Sequence, residues 1–481
     1  MIDNVADYFY ALGVRQGTVV TIHLPNCPQA VIAIYAVSKL GGICNMVHPQ
    51  VPADGLRENV SFTKSTLVIS YQENLQDIAT VLTVDVSFFM EPEYQTKLNI
   101  HSFQSTFEQA FKRNENQKND YNHLRQERLC DACVVYLNSS GTTGVPKTVM
   151  HSHAAINRSV ENAATFYKFI GNTSAVELAL LPLFHGTGFA HIMHMVLSNG
   201  AELVQMLIWD TELASKFIKE RKVNYLCGVP KIYYSLLKCD QFDGTTIKEA
   251  FVVGDSVPLR LKTQFNRKTG NKSCMFEAYG LTEIVSGCAA CDEDHDRLEA
   301  TGYPMDHNSL AVIKEDGAVS SCGEGEIVVN NNSFMLGYLG DPEATRKSFI
   351  EFDGKVWLKT GDKGFIDESG YLYYKGRLKD IIVHNGYNVY PYELEKLGRT
   401  VEGVSDICVI GIRIPEINTQ RIRAYVVPDE GTDIAGLEEK LFTKWKNVLP
   451  RFSVPQEICF IDHFPVNLMN KIDRKALEKL P

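Results

Sequence analysis

The first 70 residues alternate between two hydrophobic patterns. Apolar residues at helical spacing predict amphipathic helices over 3–12, 26–40 and 51–60. Two short and almost continuously apolar runs, 18–24 and 66–70, are typical of buried strands. Helices that alternate with buried strands predict βαβ units and a mainly parallel sheet.

The same patterns continue along the rest of the chain. The helical spacing recurs at 153–166 and at 434–448, where Thr432 or Asp433 is the expected N-cap. The segment 114–128 is polar and charged, which favours a surface connection. Further strands are predicted at 132–136, 179–182, 225–230, 250–254, 324–330, 355–358, 408–412 and 421–427.

Size and composition limit the function classes. The 481 residues are too many for one ordinary core and predict two or more domains, with 44% hydrophobic and 22% charged residues as in soluble globular proteins. A net charge of -10 argues against a nucleic-acid partner, and no apolar run is long enough to span a membrane.

The N-terminal residues and the cysteines indicate a cellular compartment. The first four residues lack a basic stretch, so we expect no signal peptide. The 12 cysteines are scattered, which favours reduced thiols in a cytoplasmic protein over a zinc site. Monomer and homodimer both remain open.

One stretch carries the strongest chemical signal. Residues 137–147 read Leu-Asn-Ser-Ser-Gly-Thr-Thr-Gly-Val-Pro-Lys, and we expect a loop between the strand at 132–136 and the helix at 153–166. Glycines let an anion approach the backbone, N–H groups and hydroxyls supply donors, and the lysine supplies charge, so the loop suits a polyphosphate. It is not a Walker A loop, because Pro146 holds the place of the second glycine. The candidate phosphate-binding residues are Ser139, Ser140, Gly141, Thr142, Thr143, Gly144 and Lys147.

Further motifs follow in a fixed order. They are 181–188, 279–283, 360–362, 376–395 and Lys471. Together with the loop, this ordered set resembles the adenylate-forming superfamily, which contains acyl-CoA synthetases, the adenylation domains of peptide synthetases and beetle luciferase. The chain is most similar to an acyl-CoA synthetase for long- or medium-chain fatty acids.

The resemblance implies a nucleotide site. The aromatic ring of Tyr279 offers a flat face for the base, and the Asp362 carboxylate suits two ribose hydroxyls. Thr282 is expected on the α-phosphate and Glu283 on Mg²⁺, because a cation and fixed donors must meet the charge of adenylyl transfer. The remaining residues that the resemblance assigns to ATP or AMP are Gly254, Asp255, Ser256, Glu277, Ala278, Gly280 and Arg377.

The resemblance also implies roles for catalysis and for CoA. Lys471 is the expected adenylation lysine, whose ammonium bridges the acyl carboxylate and the α-phosphate. His185 is expected to border the acyl pocket, and Lys379 to be the pivot of the small domain. Gly386 and Tyr387 are expected to border the tunnel for the pantetheine arm of CoA.

The implied fold is α/β, in two domains joined by a hinge. A large N-terminal adenylation domain, 1–376, has mainly parallel sheets covered by helices plus a β-barrel-like subdomain, and starts later than family members normally do. The hinge is 377–380. A small mobile α+β domain, 381–481, carries the catalytic lysine.

The predicted reaction is ATP-dependent ligation of a carboxylic acid to CoA through acyl-AMP. No acid occurs at 181–197, and an unpaired ammonium in an apolar pocket is costly, so the substrate is expected to lack a free α-amine. The apolar residues Phe184, Phe189, Ile192 and Val229 favour a medium- or long-chain fatty acid, with an aryl acid as the alternative.

Other interpretations keep part of this chemistry. The acceptor could be the thiol of an acyl carrier protein, or the chain could be a degenerate nucleotide binder. A luciferase-type oxygenase shares the first half-reaction, but no residue marks it. Three positions depart from the family pattern, namely Thr148, Lys363 and Asn470, and none of them removes a group that performs chemistry.

Overall fold

A computed structural model describes most of the chain. The described residues are 1–72, 75, 79–98, 105–111, 129–139, 147–270, 274–285, 287–297, 299–414, 419–466 and 472–480. Their strands form three large sheets, with two smaller sheets formed after residue 381.

The first sheet has seven strands and is parallel over most of its width. In spatial order it contains β17 (Gly337–Tyr338), β6 (Lys147–Ser152), β5 (Cys133–Ser139), β2 (Ile43–Met46), β1 (Val19–His23), β3 (Leu67–Ser70) and β4 (Thr80–Thr83). The β5–β6 and β6–β17 pairs are antiparallel, and the other pairs are parallel. All residues of β1, β2 and β3 are buried, and the apolar runs at 18–24 and 66–70 predicted this for β1 and β3.

The second sheet also has seven strands. In spatial order it contains β13 (Tyr303–Pro304), β12 (Gly287–Ala290), β11 (Met275–Gly280), β10 (Glu249–Val253), β9 (Tyr225–Gly228), β7 (Val176–Ala179) and β8 (Glu202–Gln205). The five strands from β11 to β8 pair in parallel, so their carboxyl ends lie along one edge. In open parallel sheets, ligands bind at this edge.

The third sheet is antiparallel. In spatial order it contains β15 (Val319–Ser320), β14 (Ser309–Ile313), β16 (Gly323–Asn330), β19 (Lys355–Ile366) and β18 (Phe349–Phe352), with β20 (Leu372–Arg377) also paired to β19. It packs around a core that includes Val312, Ile327 and Leu358. This sheet corresponds to the barrel-like subdomain that the resemblance implies.

The C-terminal residues form an α+β unit with its own core. It contains a hairpin of β21 (Ile382–His384) and β22 (Tyr387–Val389), and a sheet of β23 (Val404–Ile414), β24 (Thr419–Pro428) and β25 (Glu457–Phe460). Trp445 is fully buried in this core and donates its indole N–H to the Leu394 carbonyl at 3.0 Å.

Helices cover the sheets. In chain order they are α1 (Ile2–Ala11), α2 (Pro28–Lys39), α3 (Ala53–Thr63), α4 (Pro92–Lys97), α5 (His153–Phe166), α6 (Met195–Ser198), α7 (Thr211–Glu220), α8 (Pro230–Lys238), α9 (Leu259–Thr269), α10 (Pro342–Lys347), α11 (Pro391–Gly398), α12 (Ile434–Val448) and α13 (Arg474–Leu477). Ser152 caps α5 and Asp433 caps α12 by accepting backbone N–H groups. No helix among the described residues is long and apolar enough to cross a membrane.

Two local predictions were wrong. The glycine-rich loop does not lead directly into a helix, because Lys147–Ser152 forms strand β6, which pairs antiparallel with β5. The strand was not predicted, because its pattern is short and the helical pattern that follows it is much stronger. Similarly, 360–362 does not follow a strand ending at 358, since β19 continues to Ile366 across Gly361, where φ is +71°.

Candidate functional site

One large cleft runs along the carboxyl edge of the second sheet. It has a volume of about 3110 Å³ and is bordered by the second and third sheets and by the C-terminal unit. The loops after β7, β9, β10 and β11 all open into it. The fold therefore brings together motifs that are far apart in the sequence.

Asp362 is one of the residues that line this cleft. Its side chain is 1% exposed, and its Oδ2 accepts a 2.6 Å hydrogen bond from the hydroxyl of Tyr279. The Nε of Arg377 lies 2.9 Å from Oδ1, but no described donor meets that oxygen with hydrogen-bond geometry. Burial raises the pKa of Asp362, while Arg377 and Tyr279 oppose that rise. A buried oxygen without an aligned donor is suited to accept a hydroxyl of a bound ribose.

A second group of side chains faces the cleft from three elements. Tyr338 donates its hydroxyl to Oε1 of Glu283 at 2.9 Å, and the Nζ of Lys147 lies 4.3 Å from the centre of the Tyr338 ring. Thr282 and Glu283 belong to a short 3₁₀ turn directly after β11, and the Thr282 carbonyl lies 2.8 Å from Nε2 of His151. Tyr338 therefore contacts both the Glu283 carboxylate and the Lys147 ammonium.

The loop after β10 forms another wall of the cleft. Gly254 has φ of +79°, which turns the chain towards Asp255 and Ser256. The Ser256 backbone N–H donates to Asp255 at 2.8 Å. Asp255 also faces Arg399 of the C-terminal unit at 3.4 Å, so this contact joins the two parts of the chain.

Strand β11 supplies the next part of the wall. Its residues Glu277, Ala278, Tyr279 and Gly280 all line the cleft. Glu277 accepts the Val257 backbone N–H at 2.9 Å, and burial raises its pKa to about 8. The Tyr279 ring lies 5.9 Å from the Tyr374 ring.

The phosphate loop is only partly described. Ser139 ends β5 and Lys147 begins β6, and both line the cleft. The predictions for Ser140, Gly141, Thr142, Thr143 and Gly144 lie outside the described residues, as does the prediction for Lys471. The residues after Lys471, from Ile472 to Lys475, do line the cleft.

His185 borders the cleft together with Phe184. Their rings are 4.7 Å apart, and Phe184 also contacts His48 at 4.4 Å between ring centres. Phe189 and Ile192 are buried in the core and do not line the cleft, so their use as pocket residues was wrong. They belong to a π-helical turn, Gly188–His194, whose side chains mainly face the interior.

The inner wall of the cleft is also more polar than the sequence predicted. Glu177 and Glu249 line it, together with Tyr225 from the strand between them. Sequence reasoning missed these residues because the search for acids covered 181–197 only. A glutamate within an otherwise apolar strand, such as Val-Glu-Leu-Ala, was the available signal.

The candidate hinge residues and the candidate CoA-binding residues lie in different parts of the structure. Arg377 and Lys379 line the cleft, at the end of β20 and in the turn that follows it. Gly386 and Tyr387 form the β21–β22 hairpin instead, where Tyr387 is 54% exposed and stacks on Phe452 with 4.3 Å between ring centres. Neither Gly386 nor Tyr387 lines the cleft, although Ile382 at the start of the hairpin does.

Two of the three departures from the family pattern can be placed. Thr148 is buried and donates its hydroxyl to Asn138 at 2.9 Å across the β5–β6 pair. Lys363 lies 2.9 Å from Glu324 and 2.5 Å from the hydroxyl of Tyr390, so its charge is compensated. Asn470 lies outside the described residues.

The residues in the cleft fit a magnesium nucleotide. The Asp362 oxygen suits a ribose, Lys147 supplies positive charge, and Glu283 has a second carboxylate oxygen with no described partner. Carboxylate oxygen is a ligand that Mg²⁺ prefers. A site of this kind binds a nucleotide through groups on several elements.

Comparison with known proteins agrees with this site. The model of the AMP-binding enzyme family matches residues 1–339, and the model of the AMP-binding enzyme C-terminal domain matches 393–469. A long-chain-fatty-acid–CoA ligase of Bacillus subtilis is 27% identical over 505 residues, covering 98% of this chain and 87% of the relative. The long-chain-fatty-acid–CoA ligase FadD13 of Mycobacterium tuberculosis is 27% identical, covering 99% and 91%.

A solved structure confirms the fold. ATP-bound MatB from Rhodopseudomonas palustris superimposes with a TM-score of 0.84 at 24% identity, covering 99% of this chain and 91% of that chain. The chain belongs to the AMP-binding enzyme family. It is an AMP-forming acid–thiol ligase, an enzyme that uses ATP, Mg²⁺ and CoA to convert a carboxylic acid to its acyl-CoA through acyl-AMP.

Proposed function

We propose that this enzyme activates fatty acids of medium or long chain. The observation that carries the proposal is the continuity of the cleft, which runs from Asp362 and Glu283 to Phe251 and Tyr225 on the inner face of the second sheet. An acid held along this cleft would place its carboxylate near the nucleotide and its chain among aromatic side chains. Two relatives of almost full coverage are named long-chain-fatty-acid–CoA ligases, which supports the same substrate class.

The first step is adenylation. A carboxylate oxygen attacks the α-phosphorus of ATP, the bond to the bridging oxygen of pyrophosphate breaks, and acyl-AMP and pyrophosphate result. Tyr279 lies against the base, Asp362 accepts the ribose hydroxyls, and Thr282 donates to the α-phosphate. Glu283 would hold the Mg²⁺ that neutralises charge on the phosphates.

The remaining charge on the nucleotide is met by three basic residues. Lys147, with Ser139 to Gly144 of the loop, binds the departing phosphates, and Arg377 binds near the ribose. Lys471 bridges the acyl carboxylate and the α-phosphate as charge develops. His185 borders the carboxylate end of the acyl pocket.

The second step is thioester formation. The CoA sulfur attacks the acyl carbonyl, the bond between the acyl carbon and the AMP oxygen breaks, and AMP leaves. We propose that residues 1–376 and 381–481 act as two domains, with 377–380 as the hinge and Lys379 as its pivot. Separate cores on the two sides of this segment support the division. In the turned arrangement, Gly386 and Tyr387 would border the pantetheine arm.

Exchange of labelled pyrophosphate into ATP tests the first step. We expect exchange that depends on a fatty acid, and acyl-CoA formation when CoA is added. Lys471→Ala should lose acyl-AMP formation yet retain thioester formation from synthetic acyl-AMP. Lys440→Ala, at an exposed site on α12, is a matched control in the same C-terminal unit. Wild-type adenylation by Lys471→Ala would contradict the role of that lysine.

An aryl acid is the second candidate substrate. The inner cleft contains the rings of Tyr167 and Phe251, 4.1 Å apart, and a 4-coumarate–CoA ligase of Solanum tuberosum is 28% identical over 97% of this chain. A panel of alkyl and aryl acids in the exchange assay separates the two classes. Titration with CoA in the absence of any carrier protein tests the acceptor.

We also propose a cytoplasmic location. All 12 cysteines are free thiols in the structure, which supports a reducing compartment. Fractionation followed by thiol labelling would test this location.

A further inference from the structure

Three polar side chains form one row across the inner wall of the cleft. Glu177 of β7 pairs in register with Tyr225 of β9, and Tyr225 pairs with Glu249 of β10. Residues in register on neighbouring strands point to the same side of a sheet. All three line the cleft.

Among the described residues, neither Glu177 nor the Oε2 of Glu249 has a hydrogen-bond partner. Glu177 is 4% exposed, and its side chain has no hydrogen bond or ion pair to any described residue. The Oε2 of Glu249 is buried and also has no described hydrogen-bond partner. The Tyr225 hydroxyl, in contrast, accepts a 3.1 Å hydrogen bond from Asn172. Buried polar groups without partners are costly, which is expected where a ligand supplies the partner.

Aromatic rings pack beside the row. Tyr167 packs against Phe251 at 4.1 Å between ring centres, and Phe169 packs against Tyr225 at 5.0 Å. Both Tyr167 and Phe169 line the cleft. The row therefore forms the polar end of an aromatic pocket.

The charges of Glu177 and Glu249 depend on their burial and on the charged residues near them. Burial raises the pKa of Glu177 well above its ordinary value and that of Glu249 to about 7, with Asp292 and Glu293 adding to the rise at Glu249 and Lys168 opposing it. The raised pKa favours the neutral carboxylic acid form of Glu177, which can both donate and accept a hydrogen bond.

The row lies far from the nucleotide. In the β10–β11 pair, Val253 lies opposite Ala278. Glu249 is four residues before Val253 on β10, and Gly280 is two residues after Ala278 on β11. At about 3.3 Å per residue, the row lies roughly 20 Å below the Gly280 end of the cleft. Only the remote end of an extended acyl chain would reach it.

We propose that the acid substrate carries an uncharged hydrogen-bonding group, such as a hydroxyl, at the end remote from its carboxylate, and that Glu177 and Glu249 select this group. The inference rests on the proposed function, because it concerns the far end of the same acyl chain. A methyl end would leave both carboxyl groups without partners. A second carboxylate would be repelled by Glu249 and Glu293. An ammonium would have to give up its hydration in a buried aromatic pocket, which is costly.

The experiment compares acids of equal length that differ only at the remote end. Pyrophosphate exchange is measured with dodecanoic, 12-hydroxydodecanoic, 12-aminododecanoic and dodecanedioic acids, and then with the octanoic and hexadecanoic series. At the best length, we expect kcat/KM for the hydroxy acid to exceed that for the alkyl acid by about 10- to 100-fold. Equal or better use of the alkyl acid, or strongest use of the amino acid or the diacid, would overturn the proposal.

Variants assign the preference to the row. Glu177→Leu should abolish the advantage of the hydroxy acid while adenylation of the alkyl acid continues. Glu177→Gln should retain most of the advantage, because the amide also donates and accepts. Glu161→Gln, on the exposed side of α5, is the matched control and should behave as wild type. An unchanged preference in a folded Glu177→Leu variant would contradict selection by this residue.

The outcomes also separate the two proposals. Exchange with alkyl acids and no preference for the hydroxyl would leave the proposed function intact and overturn only this inference. No exchange with any fatty acid, from protein with a cooperative thermal transition, would overturn the proposed function itself.

Discussion

The hydroxyl of Tyr279 donates a 2.6 Å hydrogen bond to Asp362, and this bond joins two sheets of different topology. Tyr279 belongs to parallel strand β11, whereas Asp362 lies within antiparallel strand β19. The bond fixes the carboxylate over the cleft and leaves Oδ1 without an aligned donor. The ribose site that we propose therefore depends on how two separate sheets meet.

Removing the Asp362 charge should weaken nucleotide binding. Asp362→Asn keeps the shape of the side chain but loses charge-assisted hydrogen bonds, each of which contributes about 1.5–3 kcal/mol. We expect KM for ATP to rise by about 10- to 100-fold, with a smaller change in KM for the acid. Steady-state kinetics with ATP as the varied substrate measures this effect.

The control for Asp362 is Asp353→Asn, at an exposed turn in the same sheet. Asparagine tolerates the positive φ found there, so this variant should match wild type. Equal effects on the KM values for ATP and the acid would contradict a specific ribose contact by Asp362.

Glu283 should control the dependence on magnesium. Glu283→Gln removes a carboxylate charge that suits Mg²⁺ while keeping an acceptor for Tyr338. We expect at least about a tenfold loss in adenylation rate, partly restored by higher Mg²⁺ concentration. A Mg²⁺ titration of pyrophosphate exchange measures both effects, and the exposed-pair variant Glu343→Gln is the control. An unchanged Mg²⁺ dependence would exclude Glu283 as a ligand.

Glu277 should make stability depend on pH. Burial raises its pKa to about 8 in the folded protein, from about 4.5 in the unfolded chain. Between these values the folded state holds a proton that the unfolded state has lost, so stability falls as pH rises. The contribution is fully present below about pH 4.5 and is lost as pH rises through about 8.

Glu277→Gln should flatten that part of the pH profile. Chemical unfolding of both proteins from about pH 5 to about pH 9 measures the difference in slope. Glu249, with a pKa of about 7, contributes with the same sign, so some slope should remain in the variant. Parallel profiles for wild type and Glu277→Gln would show that Glu277 does not titrate as stated.

An ion pair between a buried glutamate and a partly exposed arginine anchors the C-terminal segment. Arg474 of α13 lies 2.8 Å from Oε1 of Glu395 in α11, and the same oxygen accepts the Val409 backbone N–H at 2.8 Å. Glu395→Ala removes the carboxylate from a guanidinium that is 31% exposed and leaves the Val409 N–H without its acceptor, which should cost about 1–3 kcal/mol of stability. Thermal unfolding measures this loss against Glu438→Ala, an exposed site on α12.

The Glu395→Ala variant should also slow adenylation more than thioester formation. Arg474 follows Lys471 by three residues, so a loosened anchor would misplace the lysine that we assign to the first step. Pyrophosphate exchange and thioester formation from synthetic acyl-AMP separate the two effects. Equal loss in both reactions would indicate general destabilisation instead.

Local chemistry was readable from the sequence because each motif carries its own signal. Apolar spacing predicted α5 and α12 at their observed bounds. The phosphate-binding role of residues 139–147 stays a prediction, made from small, hydroxyl and basic residues alone. The order of the motifs was enough to identify the superfamily. These features depend on neighbours a few residues away, which the sequence displays directly.

The tertiary structure alone decided which distant residues share a surface. Strand β6 was not predicted, because its short apolar pattern directly precedes a stronger helical pattern. The long strand that contains Asp362 was predicted to end too early, because Gly361 is typical of a turn. Glu177 and Glu249 meet across Tyr225 only because three parallel strands pair in register. Register is set by packing of whole sheets, so the polar end of the acyl pocket could not be derived from any local stretch.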